Sequence, residues 1–225
     1  MNIDIENYSH IIWDWNGTLL NDVKLCADIM NELLIMESLP EISVERYRNI
    51  FTFPVEEYYR RAGHNFKNNS FEILGKEFMN RYETGKTNCS LSPGAIELLE
   101  EFSRRNIQQH ILSAYEQSSL NNIVKQFRIG KYFKHVLGLD NIYANGKMLL
   151  AEKLIKIINH DGKEQKILMI GDTLHDLQVA LHIKTDCILI AHGHQSKERL
   201  EESNVIIFDD LISMMQSINK KGIQD

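Results

Sequence analysis

Polar side chains suited to phosphoryl transfer follow three short apolar runs of the sequence. Asp14 follows "HIIW", Ser113 follows "QHIL", and Asp172 comes one residue after "KILMI", while Lys147 precedes the helical pattern that leads into this third run. If the runs are parallel strands, their carboxyl ends meet at one edge of a sheet, and the four side chains converge on one crevice. A carboxylate nucleophile, a hydroxyl donor, an ammonium clamp and a metal-binding carboxylate are the groups that such chemistry needs.

The elements that must position these residues follow a βα pattern. Apolar runs of strand length alternate with amphipathic helical patterns, which indicates parallel strands joined by right-handed crossovers. The predicted strands are 11–13, 109–112, 136–139, 167–170, 187–190 and 205–208, with 136–139 at an edge. Helices are predicted at 95–102, 118–127 and 149–158. We expect the first of these helices to extend back to Pro93 at its first position, with Ser92 as its N-cap.

The stretch between residues 21 and 87 contains helical patterns alone. Helices are predicted at 23–36, 44–51, 55–62 and 71–82. A helical block that follows the first strand predicts an inserted cap domain (21–87) on a Rossmann-like α/β core (1–20 and 88–225). Because ligands bind beyond the carboxyl ends of the strands, this insert would lie above the crevice and could act as a lid.

Composition narrows the class of protein. Of the 225 residues, 43% are hydrophobic and 25% charged, as in soluble globular proteins, and the net charge of −6 with scattered basic residues disfavours nucleic acid as a partner. The apolar runs are too short to cross a membrane, and the N-terminal residues lack the features of a secretory signal. Cys26, Cys89 and Cys187 are too widely spaced for CxxC pairs, and we expect reduced thiols in a cytoplasmic protein.

Four motifs in order resemble the haloacid dehalogenase (HAD) superfamily, in particular its phosphoglycolate-phosphatase-like branch with a helical cap. "DWNGTL" resembles the first motif, Asp-x-Asp-Gly-Thr-Leu, and "ILSA" resembles the second, an apolar strand that ends in Ser or Thr. "GDTLHD" resembles the fourth motif, and Lys147 lies before it at the spacing usual for the lysine of the third. The resemblance covers nearly the whole chain, and it implies a phosphoric monoester hydrolase.

The resemblance also implies a role for each matching residue. Asp14 would be the nucleophile that forms an aspartyl-phosphate, and Ser113 and Lys147 would hold the phosphoryl oxygens. Mg²⁺, which prefers oxygen ligands, would be bound by Asp14, the backbone carbonyl of Asn16 and Asp172, with Asp176 in support. The expected substrate is a small phosphorylated metabolite, and the enzyme would be a monomer or a homodimer.

Asn16 departs from the family pattern. It stands where the family has an Asp that protonates the leaving oxygen and then deprotonates the attacking water. An amide keeps the shape and the backbone carbonyl but cannot exchange a proton in this way. Loss of a general acid/base typically removes ~10²–10⁴-fold in rate, so we expect reduced rather than abolished turnover.

Several alternatives stay open at this stage. Lys153 competes with Lys147 for the role of the clamp, and His64, His175, His192 or His194 could replace the missing proton carrier. Cap residues that could face the substrate are Phe53, Tyr58, Arg60 and Arg61. A phosphate-binding or regulatory protein with little turnover is the main rival function. A phosphonate hydrolase would need a cap lysine as a Schiff base, and the candidates are Lys24, Lys67, Lys76 and Lys86.

Overall fold

Eight strands form within the part of the chain that the structure describes, which is residues 4–140, 146–159 and 165–219 of a computed structural model. They are β1 (His10–Trp13), β2 (Leu20–Asn21), β3 (Ser90–Leu91), β4 (Gln108–Glu116), β5 (Phe133–Leu139), β6 (Ile167–Gly171), β7 (Asp186–Ile190) and β8 (Ile206–Phe208). Six of them form a parallel sheet in the order β5–β4–β1–β6–β7–β8, whereas β2 and β3 form an antiparallel pair. The predicted α/β fold with a Rossmann-like parallel sheet is therefore confirmed.

Ten α-helices lie within the same described ranges. They are α1 (Val23–Met36), α2 (Val44–Ile50), α3 (Val55–Ala62), α4 (Phe71–Gly85), α5 (Ala95–Arg104), α6 (Gln117–Gln126), α7 (Lys147–Ile158), α8 (Leu174–His182), α9 (Lys197–Leu200) and α10 (Leu211–Asn219). Among the described residues, none of these helices is both long enough and apolar enough to span a bilayer.

Alternate residues of the strands point to opposite faces of the sheet, and each face packs against its own apolar cluster. Ile11 and Trp13 of β1 belong to the larger apolar cluster, which includes Phe102 of α5. Ile12 points the other way and packs with Ala151 of α7 and with residues of α8. Helices thus cover both faces of the sheet. Strand β1 pairs with β4 on one side and with β6 on the other, so its carboxyl end lies in the middle of the sheet edge.

The helices α1–α4 separate β1 from β4, as the helical patterns predicted. The chain enters this helical block through β2 and returns through β3, and the two strands pair side by side, with Leu20 opposite Leu91. The predicted cap boundaries at 20/21 and 87/88 lie at or near this two-stranded connection. The division into a core and a cap that move separately remains a prediction; residues 1–3, 141–145, 160–164 and 220–225 of the predicted core lie outside the described residues.

Three local predictions were wrong. Helix α5 begins at Ala95 rather than Pro93, because Gly94 adopts a left-handed conformation (φ 87°) at the N-cap that only glycine takes without strain. Helix α7 begins at Lys147 rather than at residue 149. Strand β4 continues past Leu112 to Glu116, with an irregular register against β5 between these two residues, so Ser113 lies within the strand and does not follow it.

Candidate active site

Asp14 is the first residue after β1 and lies at the middle of the sheet edge. Its backbone N–H donates to the carbonyl of Ile170 in β6 (2.8 Å), which fixes its direction, and its side chain is buried. The next turn depends on Gly17, whose φ of 76° is left-handed. A Cβ at this position would overlap Oδ2 of Asp172, so a side chain here would displace a carboxylate of the site.

Three carboxylates and one ammonium group form a buried cluster, which we call the acidic cluster: Asp14, Asp172, Asp176 and Lys147. One oxygen from each carboxylate lies within 4.8 Å of the others. Lys147 Nζ donates to Oδ1 of Asp14 and to Oδ1 of Asp176, the latter at 2.6 Å. Lys153, the rival for the clamp, is exposed further along α7. The structure thus brings Lys147, and not Lys153, next to Asp14.

The carboxylates of the fourth motif are held by fixed donors. Thr18 Oγ1 donates to Oδ1 of Asp172 (2.9 Å), and the backbone N–H of His194 donates to its Oδ2 (2.6 Å). Asp176 Oδ2 accepts from the N–H and the hydroxyl of Thr173, which completes a capping box at the start of α8. Asp176 therefore caps a helix and faces the cluster at the same time.

The acidic cluster carries more negative than positive charge. Burial is the main cause that raises the pKa of Asp14 well above its ordinary value; Lys147 opposes the rise, and the neighbouring carboxylates of Asp176 and Asp172 add to it. Burial likewise raises the pKa of Asp172 to about 6. Three buried carboxylates that face one lysine are stabilised by a further cation, and an all-oxygen donor set suits a hard cation such as Mg²⁺. The residues present therefore fit the metal that the family resemblance implies.

Ser113 lies beside the acidic cluster, in the irregular part of β4. It is buried, its Oγ accepts from the backbone N–H of Tyr115 (3.0 Å), and it lines the same cavity as Asp14. Because its oxygen accepts that bond, the hydroxyl hydrogen is free to turn toward an anion in the cavity.

A second polar cluster, which we call the Asp22 cluster, consists of half-buried Asn16 and three buried residues, Asp22, Tyr82 and His194. Asn16 Nδ2 donates to Oδ2 of Asp22 (2.8 Å) and to Tyr82 Oη (2.7 Å), and Tyr82 Oη donates to the same Asp22 oxygen (2.7 Å). His194 Nε2 lies 3.3 Å from Oδ1 of Asp22, and its Nδ1 is 2.8 Å from Tyr47 Oη.

Charge is balanced in the Asp22 cluster. Burial alone would lower the pKa of His194, but the carboxylate of Asp22 outweighs it and raises the pKa to about 9. Burial alone would raise the pKa of Asp22, but charged His194, with the amide of Asn16 and the hydroxyl of Tyr82, lowers it. At neutral pH the pair is an imidazolium and a carboxylate. The sequence pattern indicates His194 only as one of four histidine candidates and does not indicate Asp22 or Tyr82.

The remaining candidates divide by whether they line the cavity. His175, His194, Phe53 and Tyr58 line it, whereas His64 and His192 are not among its described lining residues. His64 instead pairs with Glu37 (2.6 Å), and His192 faces the carbonyl of Thr18 (3.2 Å). Arg60 and Arg61 are exposed and pair with glutamates on their own helix.

The four candidate cap lysines are not among the described residues that line the cavity. Lys24, Lys67 and Lys76 are exposed, and none of them is among the described lining residues. Lys86 is buried but donates to Glu83 (2.5 Å) and Tyr115 (2.7 Å), and it too is absent from the described lining. A Schiff-base lysine for phosphonate chemistry therefore finds no support among the described residues.

The cavity above the acidic cluster has a volume of about 210 Å³. Its floor is formed by strand-end residues, which include Asp14, Ser113 and Asp172. Its upper wall comes from the helical block and is mostly aromatic; six of the side chains there are Phe51, Phe53, Tyr58, Phe71, Phe78 and Tyr82.

Comparison with known proteins agrees with this geometry. The sequence model of the haloacid dehalogenase-like hydrolase family matches residues 11–190, and the chain belongs to that family. A phosphoglycolate phosphatase of Photorhabdus laumondii is 24% identical over 90% of each chain, and a 5'-nucleotidase of Pseudomonas aeruginosa is 24% identical over 86% of this chain and 87% of its own. The expectation of a phosphoric monoester hydrolase of HAD-like type agrees with these findings.

The fold agrees as well. A haloacid dehalogenase-like family protein of Streptococcus pneumoniae superposes with a TM-score of 0.77 at 18% identity, and the match covers 93% of this chain and 98% of that one. At this identity the likeness concerns the fold alone.

Proposed function

We propose that this chain is a Mg²⁺-dependent phosphatase that acts on a small phosphorylated metabolite through an aspartyl-phosphate on Asp14. The observation that carries the proposal is the meeting of Asp14, Asp172, Asp176 and Lys147 at the carboxyl edge of one parallel sheet. The phosphoglycolate phosphatases and the 5'-nucleotidase among the relatives support a phosphate ester as substrate.

Binding of the phosphoryl group follows from the donors around Asp14. Lys147 Nζ, the hydroxyl of Ser113 and nearby backbone N–H groups would hold the oxygens of the phosphoryl group as charge builds on them. Asp14, the carbonyl of Asn16, Asp172 and Asp176 would hold Mg²⁺. When bound, the metal would neutralise the buried carboxylates and the phosphate, so that one anion can approach another.

In the first step, a carboxylate oxygen of Asp14 attacks phosphorus, and the bond from phosphorus to the ester oxygen breaks. Asn16 lies where a proton donor for that oxygen would be, but its amide hydrogens already bond to Asp22 and Tyr82. The leaving oxygen therefore departs without a proton from residue 16. The loss of this proton donor lowers the rate by ~10²–10⁴-fold. This loss is small compared with the total acceleration of more than about a million-fold that enzymes reach.

The second step suffers from the same loss. Water must attack the aspartyl-phosphate, and an amide at residue 16 cannot take its proton. We therefore expect hydrolysis of the phosphoenzyme to be slow, so that phosphorylated Asp14 accumulates when the leaving group is a good one. A burst of product followed by slow steady turnover is the kinetic sign of such a step.

The test is turnover of p-nitrophenyl phosphate with Mg²⁺, followed by chelation with EDTA and addition of Mg²⁺ again. We expect activity that disappears and returns, and acid-quenched enzyme whose intact mass shows one added phosphoryl group. The Asp14→Asn protein should show neither. Turnover that survives chelation, or phosphorylation that persists in Asp14→Asn, would contradict the proposal.

A phosphate-binding or regulatory protein with little turnover is the second candidate, and Asn16 is the observation that favours it. This second function predicts that the phosphoenzyme forms and hardly decays, whereas a phosphatase turns over repeatedly.

We further propose that α1–α4 act as a cap that moves over the crevice. We also propose that the free cysteines reflect a cytoplasmic location, and that the protein is a monomer or a homodimer.

A further inference from the structure

The wall that faces the acidic cluster is built to receive a ring. On α4, Phe71, Gly75, Phe78 and Tyr82 recur at intervals of three and four residues, and all four line the cavity. This spacing places them on one face of the helix. The same wall includes Phe51 and Phe53 of the loop between α2 and α3, which pack edge to face (5.7 Å between ring centroids).

Few charges are available to bind a carboxylate on the substrate. Among the described lining residues there is no arginine, and the one lysine, Lys147, already contacts Asp14 and Asp176. His194 is paired with Asp22, and the ring of His175 packs against that of Phe53 (4.5 Å between ring centroids). Glu116 adds a negative charge at the wall. A carboxylate buried there would lack a partner, which is unfavourable.

Because residue 16 supplies no proton, the site favours good leaving groups, and this restriction does not depend on the aromatic wall. Without a general acid, the ester oxygen must leave as an anion, and an alkoxide is a far poorer leaving group than a phenolate. The amide of Asn16 donates hydrogen bonds to Asp22 and Tyr82, and an amide does not give up a proton as an acid does. Residue 16 therefore protonates neither an alkoxide nor a phenolate. A phenolate spreads its charge into the ring, departs with the electron pair of the broken P–O bond, and takes its proton from water afterwards.

We propose that the natural substrate is an aryl phosphate, whose ring occupies the aromatic wall and whose phenolic oxygen leaves unassisted, rather than the phosphate of a small carboxylate-bearing alcohol. This inference rests on the proposed phosphatase function and names its substrate class. Two independent features of the site point to it, the lining of the cavity and the amide at residue 16.

The first test compares kcat/KM for phenyl phosphate, benzyl phosphate and phosphoglycolate with Mg²⁺. The last two both release an alkoxide, so their ratio isolates the ring; we expect about 10–100-fold in favour of benzyl phosphate from burial of the ring. Phenyl and benzyl phosphate both carry a ring, so their ratio isolates the leaving group, and phenyl phosphate should be faster by a further ~10²-fold or more. Equal or higher kcat/KM for phosphoglycolate would overturn the inference.

Binding provides a measurement that does not depend on turnover. With Mg²⁺ present, benzylphosphonate should bind about 10–100-fold more tightly than phosphonoacetate, by calorimetry. If no ester is hydrolysed but benzylphosphonate still binds more tightly, the phosphatase proposal fails, and the ring site stands. If both bind equally, the ring site is wrong even if the enzyme turns over.

Gly75 offers a variant that narrows the cavity. A Cβ there meets no heavy atom within 4 Å, and the residue is helical, so Gly75→Leu should fold. We expect the kcat/KM ratio of phenyl phosphate to acetyl phosphate, which has a good leaving group but no ring, to fall at least ~10-fold. The control is Lys76→Leu, which adds the same side chain on the exposed side of α4. An unchanged ratio in folded Gly75→Leu would place the ring elsewhere and contradict the proposal.

Discussion

Gly17 contacts both the acidic cluster and the Asp22 cluster, and the charged groups of both clusters are buried. The first has three carboxylates and one ammonium group, and the pKa values of Asp14 and Asp172 are raised. The second has one carboxylate and one imidazolium; the pKa of Asp22 is lowered, and that of His194 is raised. The pKa values of Asp14 and Asp22 are thus shifted in opposite directions, although the two residues are close together along the chain.

This difference in charge balance indicates a different role for each cluster: the acidic cluster is suited to bind a ligand, and the Asp22 cluster supports the fold. Removing one partner of a buried charge pair is strongly destabilising, and a buried surplus of one sign is costly until a ligand balances it. The Asp22 cluster completes itself with groups of the chain, and it fixes the turn after β1 through the N–H of Gly17 (2.9 Å to Asp22 Oδ1). The acidic cluster needs a cation, and its cost is tolerated where function requires it.

The largest effect should come from one chemical change made in each cluster. Asp14→Asn should reduce turnover at least ~10⁴-fold, because it removes the nucleophile. It should not lower the free energy of unfolding by more than about 1 kcal/mol, since it relieves a crowded surplus of charge. Asp22→Asn should cost about 3–5 kcal/mol of stability, because it removes the buried carboxylate that pairs with His194 and accepts from Gly17 and Asn16, while folded protein keeps turnover within ~10-fold.

Turnover and urea unfolding on both variants provide the check. The exposed Asp28, which pairs with Lys24 on α1, supplies a matched control, and Asp28→Asn should change neither quantity. If Asp14→Asn and Asp22→Asn lost activity and stability in the same proportion, the distinction between the clusters would be wrong.

Moving the carboxylate of the Asp22 cluster from residue 22 to residue 16 should give the next largest effect. Asn16→Asp alone places a second carboxylate where Asn16 Nδ2 now lies 2.8 Å from Oδ2 of Asp22, and the repulsion should destabilise the turn. Asn16→Asp combined with Asp22→Asn keeps one carboxylate and one amide but exchanges them. We expect the exchange to raise kcat/KM for benzyl phosphate by ~10²–10⁴-fold, and kcat/KM for p-nitrophenyl phosphate far less, because kcat/KM reports formation of the phosphoenzyme and p-nitrophenolate leaves without a proton.

The control for this experiment is chemical. Asn16-Gly17 is an Asn-Gly pair, which is prone to deamidation, and an aged wild-type sample would carry an aspartate in place of Asn16. Intact mass should therefore be measured on fresh protein before each assay. Equal rates for the exchange variant and fresh wild type on benzyl phosphate would mean that another group, such as His175, already transfers the proton.

The parallel strands, the helical insert and the acidic cluster could be predicted from the sequence, because each depends on local pattern. The apolar runs are continuous in parallel strands, and the polar residue that ends each run is adjacent in sequence. Parallel strands then force Asp14 and Asp172 to one edge, whatever the details of packing. Family resemblance added the roles of these residues, and the geometry agrees with their proximity.

The Asp22 cluster could not be predicted, because its members come from distant segments. Asp22 stands near Asn16 in the sequence, but nothing local shows that Tyr82 and His194 meet it. The extension of β4 past Ser113 was missed for the same reason, since pairing with β5 decides it. The aromatic stripe on α4 did leave a trace, at intervals of three and four residues, although such spacing is equally typical of ordinary core packing.

Metal binding should stabilise the protein through the acidic cluster. Mg²⁺ at about 100 times its dissociation constant should add roughly 2.7 kcal/mol to the free energy of unfolding. Protons compete with the metal because the pKa values of Asp14 and Asp172 are raised, the latter to about 6. The rise in Tm caused by Mg²⁺ should therefore be larger near pH 8 than near pH 5.

Thermal unfolding with Mg²⁺ or EDTA at both pH values measures this effect. Asp14→Asn should reduce the response to Mg²⁺, and Asp28→Asn should leave it intact. A response that does not depend on pH, or one that Asp14→Asn preserves, would argue against a metal held by these carboxylates.

The smallest expected effect is the pH dependence of stability that arises from the Asp22 cluster. His194 binds its proton more tightly in the folded protein, with a pKa of about 9, than an ordinary histidine does. Its contribution to stability is therefore complete below the ordinary pKa near 6.5 and is lost as the pH rises through about 9. With Mg²⁺ saturating, so that Asp14 stays ionised, stability should fall by about 1–2 kcal/mol between pH 7 and pH 9.

His194→Gln should flatten this decline, although it lowers stability at pH 7, because Asp22 loses its charged partner. His182→Gln is the matched control: His182 pairs with Glu152 on the surface (2.7 Å), where water screens the pair, and the decline should persist. If the wild-type decline also persisted in His194→Gln, the Asp22 cluster would not hold a buried imidazolium, and its contrast with the acidic cluster would be lost.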